Sequence, residues 1–469
     1  MDAFRSAIDW AAAIRRREVS PVEVAEYYLD RIDRLDPQLN AICFRADDDV
    51  RAVARQAAAT VMSTPVEELP PFLGVPMPIK DLNDVAGWPT TYGSMGGSSA
   101  PVGADDLAVA RLRRAGFVFL GKTNTPELGT ISCTENTRFG PTRNPWDTAR
   151  TPGGSSGGAG AAVAAGLAPI AQASDGGGSI RIPSSCNGLV GLKASRNRVP
   201  KLANVTEGFT TDGVVSRTVA DTAATLDVLG RPDPLGWYNA PPSPRPFALL
   251  ATEAPPRLRI GTTATPLIPM PVDPEVLAAH GAAAELLAGL GHEVFPVELA
   301  VPDTDQFVQA FTTVWNTGSA GAPIDVAGME PLNLALRGQA LALDSIAYVE
   351  AVYRTQLMSR PIMAPFGEAF DVLLTPTMAC LPMEVGAVWA GADLDPVIPL
   401  LNCFPMAVFT AVWNITGLPA ISLPLGRSAG GVPIGMQLVG GPWQDGLLLQ
   451  LATEVERAAP WADRRAPVS

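Results

Sequence analysis

Apolar residues along the chain fall into two patterns that alternate. Where they recur every three or four positions they read as amphipathic helices, and short apolar runs bounded by glycine or proline read as strands. The helical pattern covers roughly Phe4 to Arg17, Asp49 to Val61 and Asp105 to Ala115. Ser20-Pro21-Val22-Glu23 is a capping box with proline at the first helical position, and it opens a helix to about Leu35. Strand-like runs in the first half are LGVPMPI, GFVFLGK, LAPIAQA and NGLVGLK. A proline-rich, irregular connection from Gly230 to Pro256 leads to the strand RLRIGTT, a helix from Pro274 to Leu290 and the strand HEVFPVEL. Helical stretches then run from about Asp303 to Phe366, followed by strands DVLLTPT, PAISLPL and GMQLVG and a helix from about Asp445 to Ala458. This alternation predicts an α/β layered fold. There is no internal repeat, and strands in both halves suggest one large domain over residues 1–469, its sheet closed by the C-terminal part.

Composition narrows the function classes. With 469 residues, 47% hydrophobic and 17% charged, the chain can bury a large core. Its formal charge of -13 repels phosphate backbones and anionic membranes, so neither nucleic acid nor a membrane is an expected partner. The apolar run from Ala159 to Ala171 contains Pro169 and falls short of the roughly 20 residues of a membrane span; it reads as a buried helix entering a strand. The first residues show no signal-peptide pattern, which predicts a cytoplasmic location. Five cysteines without a CxxC pair predict reduced, mostly buried thiols and no metal cluster. The two histidines, His280 and His292, read as surface and turn residues. A Ser-His-Asp enzyme would have to use one of them.

Two glycine-serine loops carry the chemistry. RTPGGSSGGAGAAVAAG around residue 150 lacks the lysine of a P-loop and follows a turn-like segment where a dinucleotide fingerprint would follow a strand. Its glycines are expected to let the backbone approach a neighbour closely and to start a helix whose N-terminal amides stay available. One strand later, ASDGGGSIRIPSSCNGLVGLK places three glycines before Ser179, where successive N–H groups can converge as an oxyanion hole requires. A serine nucleophile needs a base. The candidate is Lys80, which ends the apolar run GVPMPIK. At its reference pKa only about one lysine in several thousand is neutral at pH 7, so burial must lower that pKa.

The set GVPMPIKD, GPTRNPWDTARTPGGSSGGAGAAVAAG and SDGGGSIRIPSSCNGLVGLKASRNRVP resembles the amidase signature family, serine hydrolases with a Ser-cisSer-Lys triad. GVVSRTVADTA, WNITGLPAISLPLG and PIGMQLVG extend the resemblance over most of the chain. It implies the family's fold, a mixed β-sheet core covered by helices on both faces, with the core at about 65–230 and 370–469 and a variable pocket or lid part at about 231–401. It also implies Ser179 as nucleophile, Ser155 as the cis-serine that relays a proton, and Lys80 as base and later acid. Gly176, Gly177 and Gly178, with Ser179, would bind the oxyanion through their amides. Relatives often carry a bulkier residue than glycine at 176, so DGGGS predicts a more open or mobile hole here. Ser156 reads as loop support, Arg181 as an anchor to a carboxylate, and Asp175 and Asp81 as partners that fix their loops. Cys133 and Cys186 read as packing residues.

The implied reaction is acyl transfer to Ser179, release of an amine and hydrolysis of the acyl-enzyme, without metal or organic cofactor. Amides, carbamates and esters all pass through a tetrahedral oxyanion. The loop form looks closest to cyclic-amide hydrolases and aryl amidases of the family. The segment GTISCTEN, with Gly129, Ile131 and Ser132, would line the acyl side. The stretch from about Val301 to Leu401 would cover the entrance with Phe307, Phe311, Trp315, Met329, Tyr348, Tyr353, Met358, Met363, Phe366 and Trp389. No arginine stands where it would clamp a substrate carboxylate. The partner is therefore a small-molecule amide or carbamate, and the chain a monomer or homodimer. The alternatives are a tRNA-dependent amidotransferase A subunit, which the DGGGS loop and the acidic charge disfavour, and a non-catalytic binding protein that keeps the fold, which the presence of all three triad positions disfavours.

Overall fold

The computed structural model describes residues 1–203, 206–299 and 303–469. The strands are β1 (Ile42–Phe44), β2 (Pro76–Lys80), β3 (Val118–Thr123), β4 (Ile170–Asp175), β5 (Val190–Lys193), β6 (Thr211–Ser216), β7 (Arg259–Thr262), β8 (Glu293–Pro296), β9 (Val372–Pro376), β10 (Ala420–Arg427) and β11 (Pro433–Gly440). Among the described residues they form an eight-stranded sheet in the order β4-β6-β5-β10-β11-β9-β7-β8 and a three-stranded one, β1-β3-β2. The large sheet is mixed: β4 to β9 pair antiparallel along this order, whereas β7 pairs parallel with both β9 and β8.

The C-terminal hairpin β10-β11 sits in the middle, bridging the β5 and β9 halves. It is buried because helices cover both faces. Gln437 turns to the helix Arg181–Asn187, where its Oε1 accepts from Arg181 Nη1, and the backbone of Gly435 lies against Ser185. The alternate residues Ile434, Met436 and Leu438 join the core on the other side, with Val276 and Leu287 of the helix Pro274–Gly289 and Leu448 of Asp445–Ala458. This is the period-two logic of a strand packed on both faces.

Predicted helices and strands lie close to the observed ones, with shifted ends. The capped helix runs from Pro21 to Leu39, past Leu35 and through Pro37. The stretch from Asp303 to Phe366 divides into helices Thr304–Ala320, Pro331–Leu341 and Ser345–Met363. Val301 and Pro302, at the start of the expected entrance segment, lie outside the described residues. The connection after Gly230 is irregular except for a helical turn at Phe247–Leu250. β1, β6 and the helix Val219–Leu229 are additional to the elements read from the pattern. His292 lies in the turn between the helix Pro274–Gly289 and β8, as read, whereas the surface reading of the histidines is corrected. Both are buried: His280 Nε2 lies 2.8 Å from Thr262 Oγ1, and His292 Nε2 lies 2.8 Å from Glu454. Cys133, Cys186 and Cys403 are buried, Cys43 and Cys380 partly so, and all five are free.

Candidate active site

Three backbone segments converge beside the β4 end of the large sheet. Lys80 is the last residue of β2, Ser155 precedes the helix Gly157–Ala164, and Ser179 follows β4 and precedes the helix Arg181–Asn187. β2 belongs to the small sheet, and the two sheets are locked by Gln172 of β4, whose Oε1 accepts from the Lys80 amide at 3.0 Å.

Lys80 is fully buried, and its Nζ donates to Ser155 Oγ at 2.8 Å. A second hydroxyl, Ser174 Oγ, lies 3.1 Å from the same Nζ. Burial pushes the Lys80 ammonium down to about 7, against the opposing pull of the Asp175 and Asp212 carboxylates. Near neutral pH a substantial fraction of this lysine is therefore neutral and able to take a proton from the Ser155 hydroxyl. The peptide bond between Gly154 and Ser155 is cis. Gly154 rests on the backbone of Cys133, where a Cβ would come within 2.5 Å of its carbonyl oxygen, so the close approach expected of these glycines occurs. Their amides do not stay available. Gly157 N–H donates to Thr134 Oγ1 at 3.0 Å and Gly158 N–H to the Asn124 carbonyl at 3.2 Å, which corrects the expectation of a free helix terminus. Ser156 supports the loop, its Oγ donating to the Ser174 carbonyl at 3.2 Å.

The loop carrying Ser179 is organised by one buried ion pair. Arg181 Nε and Nη2 donate to the two oxygens of Asp175 at 2.9 and 2.8 Å, and Arg181 also reaches Thr410, Asn414 and Gln437. Burial would raise the Asp175 pKa, but Arg181 and the amide of Asn414 outweigh it and hold the carboxyl well below the usual range. Gly178 N–H donates to Asp175 Oδ1 at 2.8 Å, and Thr410 Oγ1 reaches the Gly177 carbonyl at 2.7 Å. The peptide between Gly177 and Gly178 is thus pinned at both ends with its N–H turned inward. This corrects the expectation for Gly178, whose amide is occupied. The N–H groups of Gly176, Gly177 and Ser179 have no partner among the described residues. Asp81 has the fixing role read for it: it pairs with Lys122 at 3.3 Å and accepts from Thr91 and Gly93.

Ser179 and Gly177 open onto a cavity whose walls include Gly129, Thr130, Ile131 and Ser132. Gly129 connects this cavity to the buried pair, since a Cβ on it would lie 3.1 Å from Ser155 Oγ. Of the aromatics and methionines expected at the entrance, Phe307, Phe311 and Trp315 line the cavity. The others are placed elsewhere. Tyr348 bonds Glu207, Tyr353 is exposed, Trp389 donates to Glu135, and Phe366 packs on Phe370 and Trp413. Further wall residues are Leu400, inside the expected entrance stretch, and Cys403, Phe404, Val408 and Val412 beyond it, which the sequence reading does not assign. Ser174 was also missed; it is an ordinary strand serine until the fold brings it to Lys80. No charged side chain lines this cavity among the described residues; its polar groups are the hydroxyls of Ser and Thr, the Trp315 indole and the Cys403 thiol.

The chain and its fold have close counterparts. The amidase family model matches residues 23–449. A 6-aminohexanoate-cyclic-dimer hydrolase of Paenarthrobacter ureafaciens is 34% identical, the match covering 99% of this chain and 97% of that one. A solved structure of 6-aminohexanoate cyclic dimer hydrolase complexed with substrate superposes with a TM-score of 0.92 at 33% identity, covering 100% of both chains. A bacterial aryl acylamidase of the amidase signature enzymes superposes with a TM-score of 0.88 at 28% identity, covering 99% of each chain. With its mixed sheet, its paired glycine-serine loops and its buried lysine, this chain belongs to the amidase family, the amidase signature enzymes that hydrolyse C–N amide bonds.

Proposed function

We propose that this amidase acts through an acyl-enzyme on Ser179. Neutral Lys80 takes the Ser155 proton, Ser155 takes the Ser179 proton, and Ser179 Oγ adds to the substrate carbonyl carbon. The amides of Gly177 and Ser179, with that of Gly176, hold the resulting oxyanion. The proton held on Lys80 returns through Ser155 to the leaving nitrogen, the C–N bond breaks and the amine departs. Water then adds to the ester by the same relay and releases the acid and Ser179. The observation that carries this reading is the hydrogen bond of fully buried Lys80 to Ser155 at 2.8 Å.

The cavity supports a neutral, apolar substrate, because a charged group would be buried against walls that offer no opposite charge. Aryl and cyclic amides fit this, and N-aryl carbamates and esters are further substrates of the same machinery. A site of this kind does not favour an amidotransferase role, in which the amide donor is a charged amino acid. The test is release of aromatic amine from an anilide and the matching N-aryl carbamate by the wild type and by Ser179→Ala. Loss of both activities in the variant supports the reading, and the ratio of wild-type rates separates amidase from urethanase. Full activity in Ser179→Ala would overturn it.

A further inference from the structure

Position 176 has no room for a side chain. A Cβ built on Gly176 would lie 2.8 Å from Thr210 Cγ2, 2.8 Å from Trp315 Cζ3 and 2.9 Å from Trp315 Cη2, where ordinary contacts are 3.4–4 Å. The indole of Trp315 occupies the volume that a larger residue at 176 would fill. The openness expected from a glycine there is therefore taken up by Trp315.

This indole is the end plate of a column. Trp315 lies on the helix Thr304–Ala320, and Phe311, one turn earlier, stacks on it with ring centroids 5.6 Å apart and planes 24° apart. Phe209 stacks on Phe311 at 6.0 Å and 24°, and the Arg196 guanidinium lies 5.7 Å from the Phe209 ring centroid. The column is tied to the Ser179 loop, because Asn414 Nδ2 donates to the Phe209 carbonyl at 2.9 Å and to Asp175 Oδ1 at 2.9 Å. Trp315 is only partly buried, and it lines the same cavity as Ser179.

We propose that Trp315 is a specificity-determining residue that seats a planar aromatic group of the substrate beside the Gly176–Ser179 loop, and that Gly176 is the residue that admits the indole. The inference rests on the reading of Ser179 as nucleophile. A ring backed by Phe311, with Phe209 stacked behind it, loses little freedom when it meets a ligand, and an aromatic pair is favoured beyond the area it buries. A saturated ring of the same carbon count gains the burial without the stacking.

The test uses phenylboronic acid and cyclohexylboronic acid, which add Ser179 Oγ to boron and need no turnover. Dissociation constants are measured by calorimetry for the wild type, Trp315→Leu, Trp315→Phe, Gly176→Ala and Ser179→Ala. The wild type is expected to prefer the phenyl compound by about tenfold. Phenylboronic acid is also the stronger Lewis acid, so the stacking part of the preference is the part lost in Trp315→Leu; that variant should lower the preference clearly, Trp315→Phe should keep most of it, and Gly176→Ala, which pushes the indole aside, should reduce it. Equal binding of the two compounds by the wild type, or a preference unchanged in Trp315→Leu, overturns the inference. Binding unaffected by Ser179→Ala, or no binding of either compound to the wild type, overturns instead the catalytic reading beneath it.

Discussion

Lys80 Nζ lies 2.8 Å from Ser155 Oγ, with both residues buried. Burial lowers the lysine to about 7, so its neutral form is the one that can begin the relay, and activity must depend on pH in a definite direction. The rate constant kcat/KM should rise with pH through about 7 and level off above, falling roughly tenfold per unit on the acid side. Lys80→Met should lower it by roughly 100- to 10,000-fold and remove that limb. Retention of the limb in Lys80→Met would assign it to another group, such as Lys193, also buried and lowered to about 7.

Ser174 offers a gentler perturbation of the same lysine. Its Oγ accepts from Lys80 Nζ at 3.1 Å and so favours the charged form. Ser174→Ala should move the acid limb to lower pH by less than about one unit, as loss of one hydrogen bond allows. The pH profile of kcat/KM reads this directly, and an upward shift would contradict the assigned hydrogen bond.

Arg181 and Asp175 form a fully buried pair. Removing only the cation strands a carboxylate, so Arg181→Met should destabilise the protein by about 3–5 kcal/mol. Asp175 also accepts from the Gly178 and Ile180 amides, so the Ser179 loop should loosen with it. A large fall in apparent Tm with slower labelling by a serine-directed reagent is expected; an unchanged Tm would contradict the structural role.

The uncharged cavity predicts selectivity. An anilide whose acyl group bears a terminal carboxylate should be hydrolysed at roughly a hundredth or less of the kcat/KM of its methyl ester, since an unpaired charge must be desolvated. Parallel kinetics on the two substrates check this, and equal values would mean that a cation reaches the site.

The legible part of this molecule was local. The capping box at Ser20, the strands that end in Lys80 and Asp175, and the two glycine-serine loops are written in contiguous residues, so pattern and spacing found them. Ser174, the inward turn of Gly178 N–H and the Phe404–Val412 wall depend on which segments the fold brings together. Gly176 shows the limit most clearly: a glycine there reads as empty space, yet Trp315, more than a hundred residues away in sequence, fills it. His280 reads as exposed because the pattern of the helix Pro274–Gly289 does not show that Thr262 of β7 covers that face, and His292 because nothing near its turn shows that Glu454 of the C-terminal helix reaches it.

The most direct test of the account is to quench turnover of an activated anilide rapidly, weigh the intact protein and map the modified peptide. The account predicts a mass gain equal to the acyl group, located on Ser179 and absent in Ser179→Ala. Turnover with the acyl group on another residue, or steady turnover by Ser179→Ala, would contradict it.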